Sequence, residues 1–120
     1  MEKTIKLTSQ ALGEAVYFNP KHIFYFAEIE SGVDVRGDET LIEVKNPWDE
    51  VRKLGDELGF LEFTKAYSVK RVLINASTIM EWHGQDGGVL IEFGNDRESV
   101  QGTLEEVTAK IEKALEEGTR

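Results

Sequence analysis

The side chains able to do chemistry are few and scattered. The 120-residue sequence holds two histidines, His22 and His83, and no cysteine. Disulfides and thiolate nucleophiles are therefore excluded. A zinc site would need both histidines plus carboxylates, and no H-x-x-x-H spacing occurs. Carboxylates are plentiful, with pairs such as Glu28/Glu30 and Glu105/Glu106, but charge is dense everywhere. Glu28 and Glu30 share one face of an expected strand, which a solvated edge explains as well as a catalytic pair does. None of G-x-S-x-G, G-x-x-x-x-G-K-[ST] or G-x-G-x-x-G is present. The Gly-rich "GQDGG" at 84–88 lies between two expected strands, where it makes a hairpin and not a phosphate cradle. The expectation is a non-enzyme with no catalytic residue, no metal and no cofactor.

What remains is chemistry for binding. Arg36, Arg71 and Arg97 are the arginines of the β regions, and a guanidinium can grip phosphate with two hydrogen bonds. In so acidic a chain, most arginines are expected to pair with local carboxylates such as Asp34, Asp96 or Glu98. Tyr17 and Trp82 offer faces on which a base could stack. Tyr17, Arg71, Trp82 and Arg97 are thus the candidate ligand-binding residues for a small anionic metabolite, such as a nucleotide signal. The net charge of −9 works against anions unless the arginines cluster. It also excludes a nucleic-acid partner, which needs clustered Lys and Arg.

These residues are carried by a repeated frame. Thr8, Val16, Asn19, Ile23, Gly32, Val33, Val44, Glu50 and Val51 recur as Thr64, Val72, Asn75, Ile79, Gly88, Val89, Val100, Glu106 and Val107. Every pair is 56 positions apart with no gap, which points to a tandem duplication. Each half reads as strands "IKLT" or "LEFT", then "AVYF" or "RVLI" ended by Asn, then "IFYFAEIE" or "IMEWHG", a Gly-containing hairpin, two further strands and a helix. In the first helix, about 47–58, Asn46 is the expected N-cap with Pro47 in the first turn, and Trp48, Val51, Leu54 and Leu58 form an apolar stripe. In the second, about 104–117, Thr103 and Glu106 form a capping box ahead of Leu104, Val107, Ile111 and Leu115.

The expected fold class is α+β: two tandem units, 1–58 and 59–120, each a small antiparallel sheet of about five short strands with a C-terminal helix. No flexible linker separates them, so they should pack as one body about a pseudo-twofold axis. Phe24/Met80 and Phe26/Trp82 mark one strand face as core in both units. Tyr17 and Leu73 should point away from Val16/Phe18 and Val72/Ile74, onto a second apolar face that needs covering: packing between the units is the favoured reading, a homo-oligomer interface or ligand groove the other. No apolar run approaches a membrane span and no signal peptide opens the chain, so a cytoplasmic location with no membrane insertion is expected.

The pattern I-x-L-T, V-x-x-N-P-x-x-I, G-V, I-x-V and D-E-V resembles the FlbD-like (SwrD-like) family of short bacterial proteins, carried by Ile5, Leu7, Thr8, Val16, Asn19, Pro20, Ile23, Gly32, Val44, Glu50 and Val51. The second unit keeps Thr64, Asn75, Ile79, Gly88, Val100, Glu106 and Val107, with Ala76 in place of the family's Pro. The resemblance implies a non-enzymatic role in support of motility, and related units occur in bacterial and phage proteins. Two functions then compete. The first is a protein-binding or scaffold module that self-associates as a homo-oligomer and has a protein partner. The alternative is a small-molecule binder that sequesters an anionic metabolite between units or protomers.

Overall fold

Short strands with period-two alternation dominate the chain. The computed structural model describes residues 4–118. In chain order the elements are β1 (Ile5–Thr8), β2 (Ala15–Phe18), β3 (Ile23–Ile29), β4 (Gly32–Gly37), β5 (Thr40–Val44), α1 (Trp48–Glu57), β6 (Leu61–Thr64), β7 (Arg71–Ile74), β8 (Glu81–Gln85), β9 (Gly88–Phe93), β10 (Asp96–Val100) and α2 (Leu104–Gly118). The fold is α+β. Asn19 and Asn75 end β2 and β7 alike. Each Oδ1 accepts the backbone N–H two residues on, from Lys21 at 3.1 Å and Ser77 at 3.3 Å, and opens a short 3-10 turn.

All strand pairs are antiparallel and fall into three sheets: β1-β2, β5-β4-β3-β7-β6 and β10-β9-β8. Two bridges, Ser9 to Val44 and Lys65 to Val100, tie β1 to β5 and β6 to β10. Their flanking hydrogen bonds match in kind. Lys45 N donates to Thr8 O at 2.8 Å and Gln10 N to Glu43 O at 2.9 Å; Gln101 N donates to Thr64 O at 2.8 Å and Ala66 N to Ser99 O at 3.0 Å. The strands thus follow one continuous order, β2-β1-β5-β4-β3-β7-β6-β10-β9-β8.

This order differs from one five-stranded sheet per half. The five-stranded sheet takes β3, β4 and β5 from the first half of the chain and β6 and β7 from the second. The join is β3 to β7, with Phe26 opposite Leu73. A pseudo-twofold packing would also pair β2 with β8. Among the described residues these two strands instead form the two ends of the order.

Because the central sheet is covered on both sides, β3 and β7 are apolar on both faces. Phe26 and Leu73 point into one core with Ile5, Leu7, Phe18, Val33, Val35, Trp48 and Val51. Tyr25, Ala27, Val72 and Ile74 point into the other with Val89, Ile91, Phe93, Val107 and Ile111. Each fully buried side chain of this kind contributes about 1.5–3 kcal/mol. Leu73 is therefore covered as expected of packing between the halves, whereas Tyr17 is 65% exposed. Met80 corrects the assignment of Phe24 and Met80 to equivalent core positions: Phe24 is buried against Phe93, ring centres 5.3 Å apart, whereas Met80 is 71% exposed beside β8, which among the described residues has no strand on its outer edge. Phe24 and Phe26 do not share a core either, since a register shift between Ile23 and Tyr25 places them in different clusters.

The helices begin as their sequences dictate, with one change. Thr103 N donates to Glu106 Oε1 at 2.9 Å and Glu106 N to Thr103 Oγ1 at 3.1 Å, a complete capping box. In α1 the capping position falls on Pro47. Asn46 Oδ1 is used elsewhere, accepting Thr8 N at 2.8 Å to fasten β1. Of the expected stripe on α2 only Val107 and Ile111 are buried, and Leu104 is 46% exposed.

Candidate binding surfaces

The four residues singled out for anion binding lie apart. Arg71 opens β7, and its guanidinium holds Glu28 on β3 through Nε to Oε1 and Nη2 to Oε2, both 3.2 Å, while its backbone N donates to Oε1 at 2.9 Å. The same guanidinium carbon sits 5.4 Å from the centre of the Trp48 ring. The hydrogen bond from Arg71 keeps the Glu28 carboxyl below its ordinary range. Arg71 thus has a carboxylate in hand, supplied by the facing strand and not by a near neighbour in sequence. Trp82 is half-buried on β8 and donates Nε1–H to Thr108 Oγ1 on α2 at 2.8 Å. Arg97 is exposed on β10. Tyr17 stands on β2, on the opposite side of the central sheet from Trp82. None of the four lines the clefts at the β4–β5 turn or between the end of α1 and α2.

The surface clefts are lined by other residues. One, about 850 Å³, runs between the end of α1 and α2 and mixes Lys110 and Lys113 with Asp56, Glu57, Glu117 and Leu115. Its charges nearly balance, and Lys110 is engaged: Nζ donates to the Glu62 carbonyl and lies 4.3 Å from the Phe63 ring centre. Burial lowers the pKa of that ammonium. A smaller cleft of about 250 Å³ at the β4–β5 turn includes Arg36 and Asp96.

Behind that cleft a polar cluster stitches β3 and β4 to β10. Arg36 Nε bonds Asp34 Oδ2 at 2.9 Å, Arg36 Nη1 reaches Asp96 Oδ2 at 3.5 Å, and the Tyr25 hydroxyl lies 3.4 Å from both Asp96 oxygens. Burial, then the Asp96 charge, pushes the Tyr25 pKa far above its usual value, so the phenol stays a donor. Burial also raises Glu98, which pairs with Lys65 Nζ at 3.8 Å. Arg36 and Asp34 are the local pairing anticipated from sequence; Oδ2 of Asp34 holds Arg36, while its Oδ1 is buried with no hydrogen-bond partner. Among the described residues no group of three or more His, Asp or Glu side chains is placed to hold a metal ion, and no helix is long and apolar enough to cross a membrane.

The remaining surface feature is backbone. Among the described residues β2 and β8 each pair on one side only. β2 reads Ala15-Val16-Tyr17-Phe18, with none of the lysines, prolines or bulges that protect a lone edge. Met80 is exposed just before β8. Sequence periodicity marks these segments as strands but is silent on which edges stay open. Comparisons with protein-family models, with curated proteins and with solved structures returned no match.

Proposed function

We propose that the chain is a tandem duplication of an FlbD-like unit that works as a non-enzymatic, cytoplasmic protein-binding or scaffold module of bacterial or phage type, acting through its folded surface and by self-association. The duplication is supported by elements and hydrogen bonds that recur at one spacing: the two Asn-stopped strands, the two bridges, and the paired bonds Lys45–Thr8 and Gln101–Thr64. The observation that carries the functional reading is the pair of open strand edges, on a surface where Arg71, Arg36 and Lys110 are already partnered. A backbone edge offers a row of donors and acceptors to another polypeptide. The scattered arginines offer no comparable grip on an anion.

Native mass spectrometry of protein purified gently from its expression host tests this. A ligand-free assembly of whole chains is expected. A small anion retained at one per chain or per assembly, and released on denaturation, would replace the scaffold with a sequestering protein.

A further inference from the structure

The open edges are not arbitrary. Shifting the β7 register back by 56 positions gives β2, and shifting the β3 register forward by the same amount gives β8. The two strands with an open side at the ends of the order are thus the counterparts of the two that pair at its centre. Within one chain they cannot meet. Val16 and Phe18 of β2 pack on the face of the central sheet that carries Phe26 and Leu73, whereas Trp82 of β8 packs on the face that carries Tyr25 and Val72. The five-stranded sheet stands between them.

We propose that β2 of one copy pairs antiparallel with β8 of a second copy, repeating between molecules the β3–β7 seam found within each. This rests on the self-association proposed above and names its surface. Translating the intrachain register sets Tyr17 opposite Trp82, Phe18 opposite Glu81 and Val16 opposite His83, as Leu73 faces Phe26, Ile74 faces Tyr25 and Val72 faces Ala27. The backbone of β2 is oriented for it. Ser9 N donates to Glu14 O at 2.9 Å, so by alternation Val16 and Phe18 turn their main-chain groups toward β1, and Ala15 and Tyr17 turn theirs outward. Asn75 N donating to Phe24 O at 2.9 Å gives Leu73 the same outward sense toward β3. The side chains fit as well. Tyr17, exposed in the lone chain, would lie across from Trp82, an aromatic cross-strand pair. The seam joins two different surfaces, so it is head-to-tail: it makes a ring where the rotation between copies closes and a filament where it does not. Glu81 and His83 stand where the inner seam has Tyr25 and Ala27, so the outer seam is the more polar and comes apart on dilution.

Absence of native cysteine makes the register directly testable. Val16 and His83 would form a non-hydrogen-bonded pair, with Cα atoms about 4.5 Å apart, inside the disulfide range of roughly 4.4–6.8 Å. Purified Val16→Cys and His83→Cys chains, mixed and gently oxidised, are expected to give a covalent dimer containing one of each, in excess of either self-linked dimer. Sedimentation of the wild-type chain is run alongside. Assembly without the mixed crosslink would overturn the seam and leave self-association standing. A wild-type chain that stays monomeric at every concentration would overturn both. A double variant that links within a single chain would show that the edges close internally and also overturn the seam. Tyr17→Lys, at an exposed position, guards against a folding artefact: it is expected to retain the wild-type circular dichroism spectrum and sediment as a monomer, and an unchanged assembly would count against the seam.

Discussion

Gly88 lies at the start of β9 where the chain's end of β10 crosses closest. A Cβ placed on it would sit 2.1 Å from the Val100 carbonyl oxygen, against about 3.3 Å for a tolerated C–H···O contact. Relief demands a separation of roughly 1 Å between β9 and β10. Val100 cannot yield freely. Its side chain is fully buried, it pairs with Val89, it bridges to Lys65, and its neighbours are held by Ala66 N to Ser99 O and Gln101 N to Thr64 O. Gly88→Ala should therefore incur an overpacking cost of about 1–3 kcal/mol and weaken one flanking hydrogen bond, about 1 kcal/mol. The reduced freedom of the unfolded chain returns about 0.4–1 kcal/mol. The net expectation is a loss of about 2 kcal/mol, read as a lower urea midpoint at unchanged slope. Gly32→Ala meets Val44 O at the same 2.1 Å and adds a φ of +150°, so it should lose at least as much. Gly84→Ala is the control, since its Cβ meets nothing nearer than Leu104 Cβ at 3.8 Å; it should be neutral or slightly stabilising. A Gly88→Ala chain as stable as Gly84→Ala would refute the close strand approach. A large difference in sign between Gly32→Ala and Gly88→Ala would refute the equivalence of the two halves.

Three further outcomes follow from the polar contacts. Arg71→Ala removes the partner that depresses the Glu28 pKa and should cost about 1 kcal/mol at neutral pH for a partly exposed pair. A depressed carboxylate stabilises above its unfolded pKa, so the gap between wild type and variant in pH-dependent urea titrations should narrow as pH falls through the folded Glu28 value, to what the Arg71–Trp48 contact leaves; a gap of constant size into acid would deny the ion pair. The raised Tyr25 pKa acts with the opposite sign: its contribution is complete below the unfolded tyrosine value of about 10 and fades above it. Tyr25→Phe should leave the tyrosinate absorbance curve unchanged until alkaline unfolding, and an earlier loss of amplitude would mean the phenol is open to solvent. Thr108→Val strands the Trp82 Nε1–H that it accepts at 2.8 Å and should destabilise by about 1–2 kcal/mol with altered tryptophan fluorescence; unchanged emission and stability would detach β8 from α2.

Local chemistry was legible in the sequence, and long-range pairing was not. Asn19, Asn75, the Thr103–Glu106 box and the strands of alternating residues act over a few positions, so their types declare them. The partner of Arg71 is 43 residues distant, and nothing in the spacing of Glu28 marks it. The β3–β7 join is of the same kind: alternation says that Leu73 must be covered but not by what. Alternation and apolar type place Met80 beside its counterpart Phe24 and Leu104 beside Trp48, yet burial depends on the neighbour that each unit receives. Residue type marks Tyr17 and Trp82 as ligand contacts, and their position at the two open edges emerges only from the strand order.

Amide hydrogen exchange on the wild-type chain, followed across protein concentration, tests self-association through these edges most directly. Tyr17 N–H points outward from β2 by the alternation set at Ser9 and Glu14, so the lone chain leaves it to water. Slow exchange at Tyr17 and Trp82 in concentrated protein is expected, with protection lost on dilution in step with dissociation, while Leu73 and Phe26 remain protected throughout. Fast exchange at Tyr17 at every concentration, beside a protected Leu73, would contradict it.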